Sequence, residues 1–128
     1  MSAFELMGGE DGVRRLVDAF YDRMDTDPAA AGIRAMHATN LAESRRKLWM
    51  FLVGRLGGPP LYEQERGHPR LRARHLPFAI GAAEAKQWTS CMDHALDACV
   101  THAALREELR AFFVGVADHM RNQPAQSP

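Results

Sequence analysis

The stretch "RGHPRLRARHLPFAIG", Arg66 to Gly81, decides how this chain is read. It sets four arginines and two histidines into a chain whose sixteen basic and sixteen acidic residues otherwise balance, then breaks at Pro77 into an apolar tail. An anion, a metal, a nucleic acid or a charged cofactor could each use such residues. Arg70, Arg72 and Arg74 alternate around His68 and His75. The planar fork of a guanidinium makes paired, charge-assisted hydrogen bonds to carboxylate or phosphate. The plainer alternative is a solvated, partly salt-bridged surface loop.

The rest of the chain narrows the choice. A net charge of +0 leaves no long-range field to draw the protein onto nucleic acid or an anionic membrane. Nucleic acid would also want aromatic rings interleaved with the arginines, and the loop has only Tyr62 before it and Phe78 after it. His68 and His75 stand apart in sequence and the thiols lie in a later segment, which matches no compact zinc spacing. The start, "MSAFELMGGEDG", lacks the basic and apolar regions of a signal peptide. The longest apolar run, "LWMFLVG" from Leu48 to Gly54, is far short of a membrane span. A single cytoplasmic domain over residues 1–128 is expected. Cys91 and Cys99 sit about 12 Å apart along one helix at ~1.5 Å per residue, too far for a disulfide, and are expected as reduced packing residues.

The periodicity is helical throughout. Val13, Leu16, Val17, Phe20, Tyr21 and Met24 paint one apolar stripe on a helix that starts near Gly12 and stops near Asp27-Pro28. A second helix, capped by Thr39 or Asn40, carries Leu41, Leu48, Phe51 and Leu52 to Gly57-Gly58-Pro59-Pro60. A third starts between Gly81 and Glu84 and carries Trp88, Cys91, Met92, Ala95, Leu96 and Cys99. A fourth carries Leu105, Leu109, Phe112, Phe113, Val116 and Met120. Four amphipathic helices predict an all-α fold. Residues 57–74 read as irregular, and the final "NQPAQSP", about residues 122–128, reads as a frayed, disordered tail.

Helical periodicity also turns Tyr21, His37 and Trp88 toward the interior, each with a polar tip that needs a partner. Three inward polar groups and a histidine in a basic loop are best explained by one polar ligand shared within an apolar cavity.

At this point the chain resembles a family. "FELMGGEDGVRRLVDAFYDRM", "GGPPLYEQERGHPRLRARHLPF" and the Trp88 of "QWTSCM" are similar to the group II truncated haemoglobins, bacterial globins that fold as a two-over-two helical sandwich around haem. The resemblance runs through nearly the whole chain, and Gly8-Gly9 and Gly57-Gly58 fall where such globins end helices. It implies haem b, iron protoporphyrin IX, as cofactor, with His75 of "RHLPF" as the proximal iron ligand. Arg72 is then the first candidate for a haem propionate, with Lys47, Tyr62 and His68 as further ones. Leu48 and Phe51 form an apolar wall, and Phe78, Ile80 and Met92 surround the ring. Tyr21, His37 and Trp88 form the distal polar set.

Two positions depart from the family pattern. Ser44 stands where many globins carry a distal histidine, so any donor role shifts to Tyr21, His37 and Trp88. Residue 37 is histidine where some members have tyrosine, with Ala38 where proline is frequent. His94, His102 and His119 read as surface residues. The function expected by resemblance is reversible binding of O2 and other diatomic ligands such as CO and NO, for transport or sensing. The alternative is an enzyme converting NO to nitrate, or acting on peroxide, with an external reductase. A haem-free interaction module is the third class, and a monomer or weak homodimer is expected.

Overall fold

The computed structural model describes residues 1–124, and among these it is all-helical. Helix α1 (Ala3–Leu6) is capped by the Ser2 hydroxyl, which accepts from the Glu5 amide at 3.1 Å. Helix α2 (Gly9–Thr26) follows a turn in which Gly8 takes φ +95°, a left-handed value that suits glycine alone. Gly12 is needed for a second reason: a Cβ there would stand 1.7 Å from the Met7 carbonyl oxygen.

The α2 stripe is the centre of the core. Val13, Leu16 and Phe20 are fully buried, and Val17, Tyr21 and Met24 are at most 6% exposed. One face of α2 packs on α4 (Ala42–Arg55) and the other on α7 (Ala82–Cys99), and α7 packs on α8 (Ala103–Met120). Two pairs of helices are thus stacked, α2 with α4 and α7 with α8. Helix α4 carries apolar residues on more than one side: Met50, Leu52 and Val53 are buried in the core, whereas Leu48 and Phe51 stay half-buried. The Asn40 side chain accepts from the Ala42 amide at 2.8 Å and so supplies the start signal of α4. At the start of α7 the Glu84 carboxylate accepts from the Gly81 amide at 2.8 Å.

Residues 57–74, expected to be irregular, contain two short helices, α5 (Leu61–Arg66) and α6 (Leu71–His75). Each spans under two turns, too few residues for an apolar repeat to declare itself. Arg66 ties α5 to α4 through Glu43, beside a second pair between Arg46 and Glu65. A 3-10 turn (Pro28–Ala30) and a short helix α3 (Ala31–Ala35), both unforeseen, link α2 to α4. The expected tail also differs from the structure. Asn122 and Gln123 are hydrogen-bonded to Ile80, and residues 125–128 lie outside the described residues.

Both cysteines are free, and burial pushes each thiol above its usual pKa, which favours the protonated form. No described helix is long and apolar enough to cross a membrane.

Candidate ligand-binding cavity

The helical pairs enclose a cavity of about 450 Å³, within the roughly 300–1,000 Å³ typical of ligand and cofactor sites. It opens beside the arginine-rich segment, so the composition signal and the hollow coincide. His75, at the end of α6, forms part of one wall, and Tyr21 of α2, His37 after α3 and Trp88 of α7 line the cavity as well.

The His75 ring is fixed by its own helix. Its Nδ1 lies 2.6 Å from the Leu71 carbonyl oxygen, four residues earlier. A carbonyl can only accept, so Nδ1 carries the proton and Nε2 keeps a free lone pair. A neutral imidazole held by such a bond is the form that ligates iron. No three His, Cys, Asp or Glu side chains cluster as a metal site among the described residues.

Among the polar groups, two donors and one acceptor can be told apart. Neither the Tyr21 hydroxyl nor the Trp88 indole N–H has a partner among the described residues, although both residues line the cavity. Burial pushes the Tyr21 phenol up to about 12, against a smaller opposing pull from Arg45. The phenol therefore stays protonated as a donor at neutral pH. Trp88 sits between the rings of Phe20 and Phe113, with centroids 5.1 and 5.7 Å away. Its N–H can only donate. His37 spends one nitrogen on the backbone: its Nδ1 lies 2.8 Å from the Ile33 carbonyl oxygen and donates to it, which in the neutral ring leaves Nε2 as an acceptor. The His37 ring meets Tyr21 edge to face, with centroids 5.9 Å apart.

Leu48 and Phe51 of α4 line the cavity, as do Phe78 and Ile80 of the segment after α6. Ser44, Lys47 and Tyr62 lie on the lining too, Lys47 exposed and Tyr62 buried edge-on against Phe51. Three expected residues lie outside it. Arg72 turns away to the end of α8, where its guanidinium reaches the Arg121 carbonyl at 3.4 Å. His68 is exposed and its Nδ1 accepts from the Arg70 amide at 3.1 Å, a local turn contact. Met92 is fully buried in the core one turn beyond Trp88, where the indole and its flanking rings close the cavity.

Arg74, two residues beyond Arg72 and not among the propionate candidates named from the sequence, is the arginine of this segment that lines the cavity. Its Nε donates to the Pro69 carbonyl at 2.8 Å, and the side chain lines the cavity. The inner face of α8, Phe112 to Met120, also lines it. The signal was present, since Phe112 and Phe113 are adjacent and widen that stripe beyond what packing on α7 needs.

The residues that hold the polar set were not legible beforehand. Gln87, next to Trp88, accepts from the Ile33 amide at 3.0 Å, so α7 grips the same residue whose carbonyl orients His37. Arg34 donates to the Ala38 and Thr39 carbonyls at 2.9 and 2.8 Å and to Asp25 at 2.8 Å, fixing the turn after His37. Arg45 bonds Asp18 and Asp22 and lies 5.8 Å over the Tyr21 ring, locking α4 to α2.

The cavity suits a flat, largely apolar group with two carboxylates. Its walls are apolar, Lys47 and Arg74 supply cations, and Phe78 is 41% exposed where such a group would cover it. Fold and site together define a truncated globin of the two-over-two class. A model of the bacterial-like globin family matches residues 2–122. A group 2 truncated haemoglobin of Bacillus subtilis is 44% identical over 119 residues, covering 90% of this chain and 85% of that protein. The cold-adapted truncated haemoglobin of Pseudoalteromonas haloplanktis superposes with a TM-score of 0.95 at 41% identity, over 97% of this chain and 100% of the other. The group II two-on-two haemoglobin of Agrobacterium tumefaciens gives 0.94 at 43% identity, over 97% and 96%. The chain belongs to the bacterial-like globin family, among the group II truncated haemoglobins. As a globin it is a haem protein for gaseous ligands.

Proposed function

We propose that the chain binds haem b in this cavity with His75 Nε2 as the proximal ligand, and that it binds O2 reversibly, along with CO and NO. The observation that carries the reading is the Nδ1 contact of His75 with Leu71 at 2.6 Å, which leaves Nε2 as a lone pair. Lys47 and Arg74, with the Tyr62 hydroxyl, would hold the propionates. Haem, when bound, supplies the iron at which a diatomic gas docks and the electron density that makes its outer atom a hydrogen-bond acceptor. Tyr21 and Trp88, both on the cavity lining, would donate to that atom and slow its escape. The apolar walls exclude the water that would compete for the same donors.

His37 supports a second reading, turnover of NO to nitrate or of peroxide. Its Nε2 is a free acceptor beside two donors, suited to take a proton from a protonated ligand. Sustained turnover would draw electrons from a separate reductase. The test is a set of spectra of the dithionite-reduced protein, desalted and then exposed to O2 or CO. A stable oxygenated spectrum that reverses under argon supports reversible binding. Oxygenated protein that turns ferric only when NO is added, with release of nitrate, or that oxidises a reduced donor when peroxide is added, supports turnover, and spectra indifferent to both gases refute the two readings together.

A further inference from the structure

The segment Leu76–Gly81 joins α6 to α7, and Leu76, Pro77, Phe78 and Ala79 are all exposed on it. Little side-chain packing holds it, yet it follows directly on His75. We propose that Asn122, beyond the end of α8, is the positioning residue that fixes this segment and with it the backbone of His75. The inference rests on His75 as the iron ligand.

The carboxamide of Asn122 is used at both ends. Its Nδ2 donates to the Phe78 carbonyl at 2.7 Å and to the His75 carbonyl at 3.3 Å. Its Oδ1 accepts from the Ile80 amide at 2.9 Å and from the Gln123 side chain at 3.1 Å. The main chain adds two more bonds, with the Asn122 and Gln123 amides donating to the Ile80 carbonyl at 2.9 and 3.2 Å. The Phe78 amide also donates to the His75 carbonyl, at 3.0 Å.

The His75 imidazole is thus oriented from two directions. Leu71 fixes the ring through Nδ1, and Asn122 fixes the carbonyl of the same residue across a separation of 47 positions. Outer partners of a metal-ligating histidine control its ring plane and its hold on the metal, typically by 10–100-fold. Asparagine suits the position because two carbonyls and one amide must be met at once. An aspartate there keeps the acceptor for Ile80 but turns the donor into an oxygen facing two carbonyl oxygens.

The test compares wild type, Asn122→Ala and Asn122→Asp as full chains. Haem loss to an excess of apomyoglobin should quicken by about tenfold in each variant, and the ferrous iron–histidine stretching band in resonance Raman spectra should shift or broaden. In the haem-free protein, hydrogen exchange at the Ile80 amide should quicken in Asn122→Ala, with the Leu16 and Phe20 amides unchanged. Wild-type haem loss and an unmoved band in variants that keep their helical spectrum would overturn the inference. A wild-type chain that takes up no haem would instead sink the underlying reading. Should Asn122→Ala fail to fold, Asn122→Asp alone decides through the Raman band and haem loss.

Discussion

Tyr21→Phe separates the phenol hydroxyl from the ring that packs around it. The ring is 6% exposed and meets Phe20 edge to face at 4.9 Å, so phenylalanine keeps the packing and removes one oxygen. Burial pushes the phenol from 10.0 up to about 12. At about 1.4 kcal/mol per unit, that rise corresponds to an energy on the order of 2–3 kcal/mol. The folded state holds its proton to higher pH than the unfolded chain does. The contribution is therefore intact below pH 10 and is lost as the pH rises through 12. Denaturant unfolding of wild type and variant should differ by a constant amount up to about pH 10. Toward pH 12 the difference should shift by roughly 2–3 kcal/mol in favour of the variant. Every other group is common to both proteins, and its contribution cancels. A difference flat from pH 8 to 12 would refute the reasoning, because it would mean that the phenol is hydrated and does not face a dry pocket.

Three further changes probe other parts of the account. Trp88→Phe keeps a ring between Phe20 and Phe113 and removes a donor; the O2 off-rate in stopped flow should rise about tenfold, equivalent to ~1.4 kcal/mol. Arg74→Gln should speed haem loss about fivefold, near 1 kcal/mol for a solvent-facing charge pair, whereas Arg72→Gln should leave it unchanged. Leu16→Ala, at a fully buried site on α2, should lower unfolding stability by about 2–5 kcal/mol, read from the denaturation midpoint.

The long helices were legible because their signals are repetitive. The stripe from Val13 to Met24 could face only one core, and Asn40 and Glu84 gave readable starts to α4 and α7. Helices α3, α5 and α6 escaped because one or two turns carry no period. The cavity was announced by residue types: a histidine in a basic loop and polar tips on apolar stripes. Which atoms point where was not. Arg72 and Arg74 are the same residue type two positions apart, and only the placement of α6 against the end of α8 decides which faces the cavity. His37 is similar, since the sequence shows an imidazole while its role as acceptor follows from the Ile33 carbonyl. Asn122 was hidden by its neighbours: "NQPAQSP" has the composition of a tail, and its bonds to Ile80 cross 42 positions.

The most direct test of the account is haemin titration of wild type and of His75→Gly, with and without added imidazole. The wild-type chain should take up one haem with a histidine-ligated Soret band, His75→Gly should lose this band, and imidazole should restore it by filling the vacated position. A His75→Gly protein with the wild-type band and no response to imidazole would contradict this ligation, since the iron would then be held by another residue.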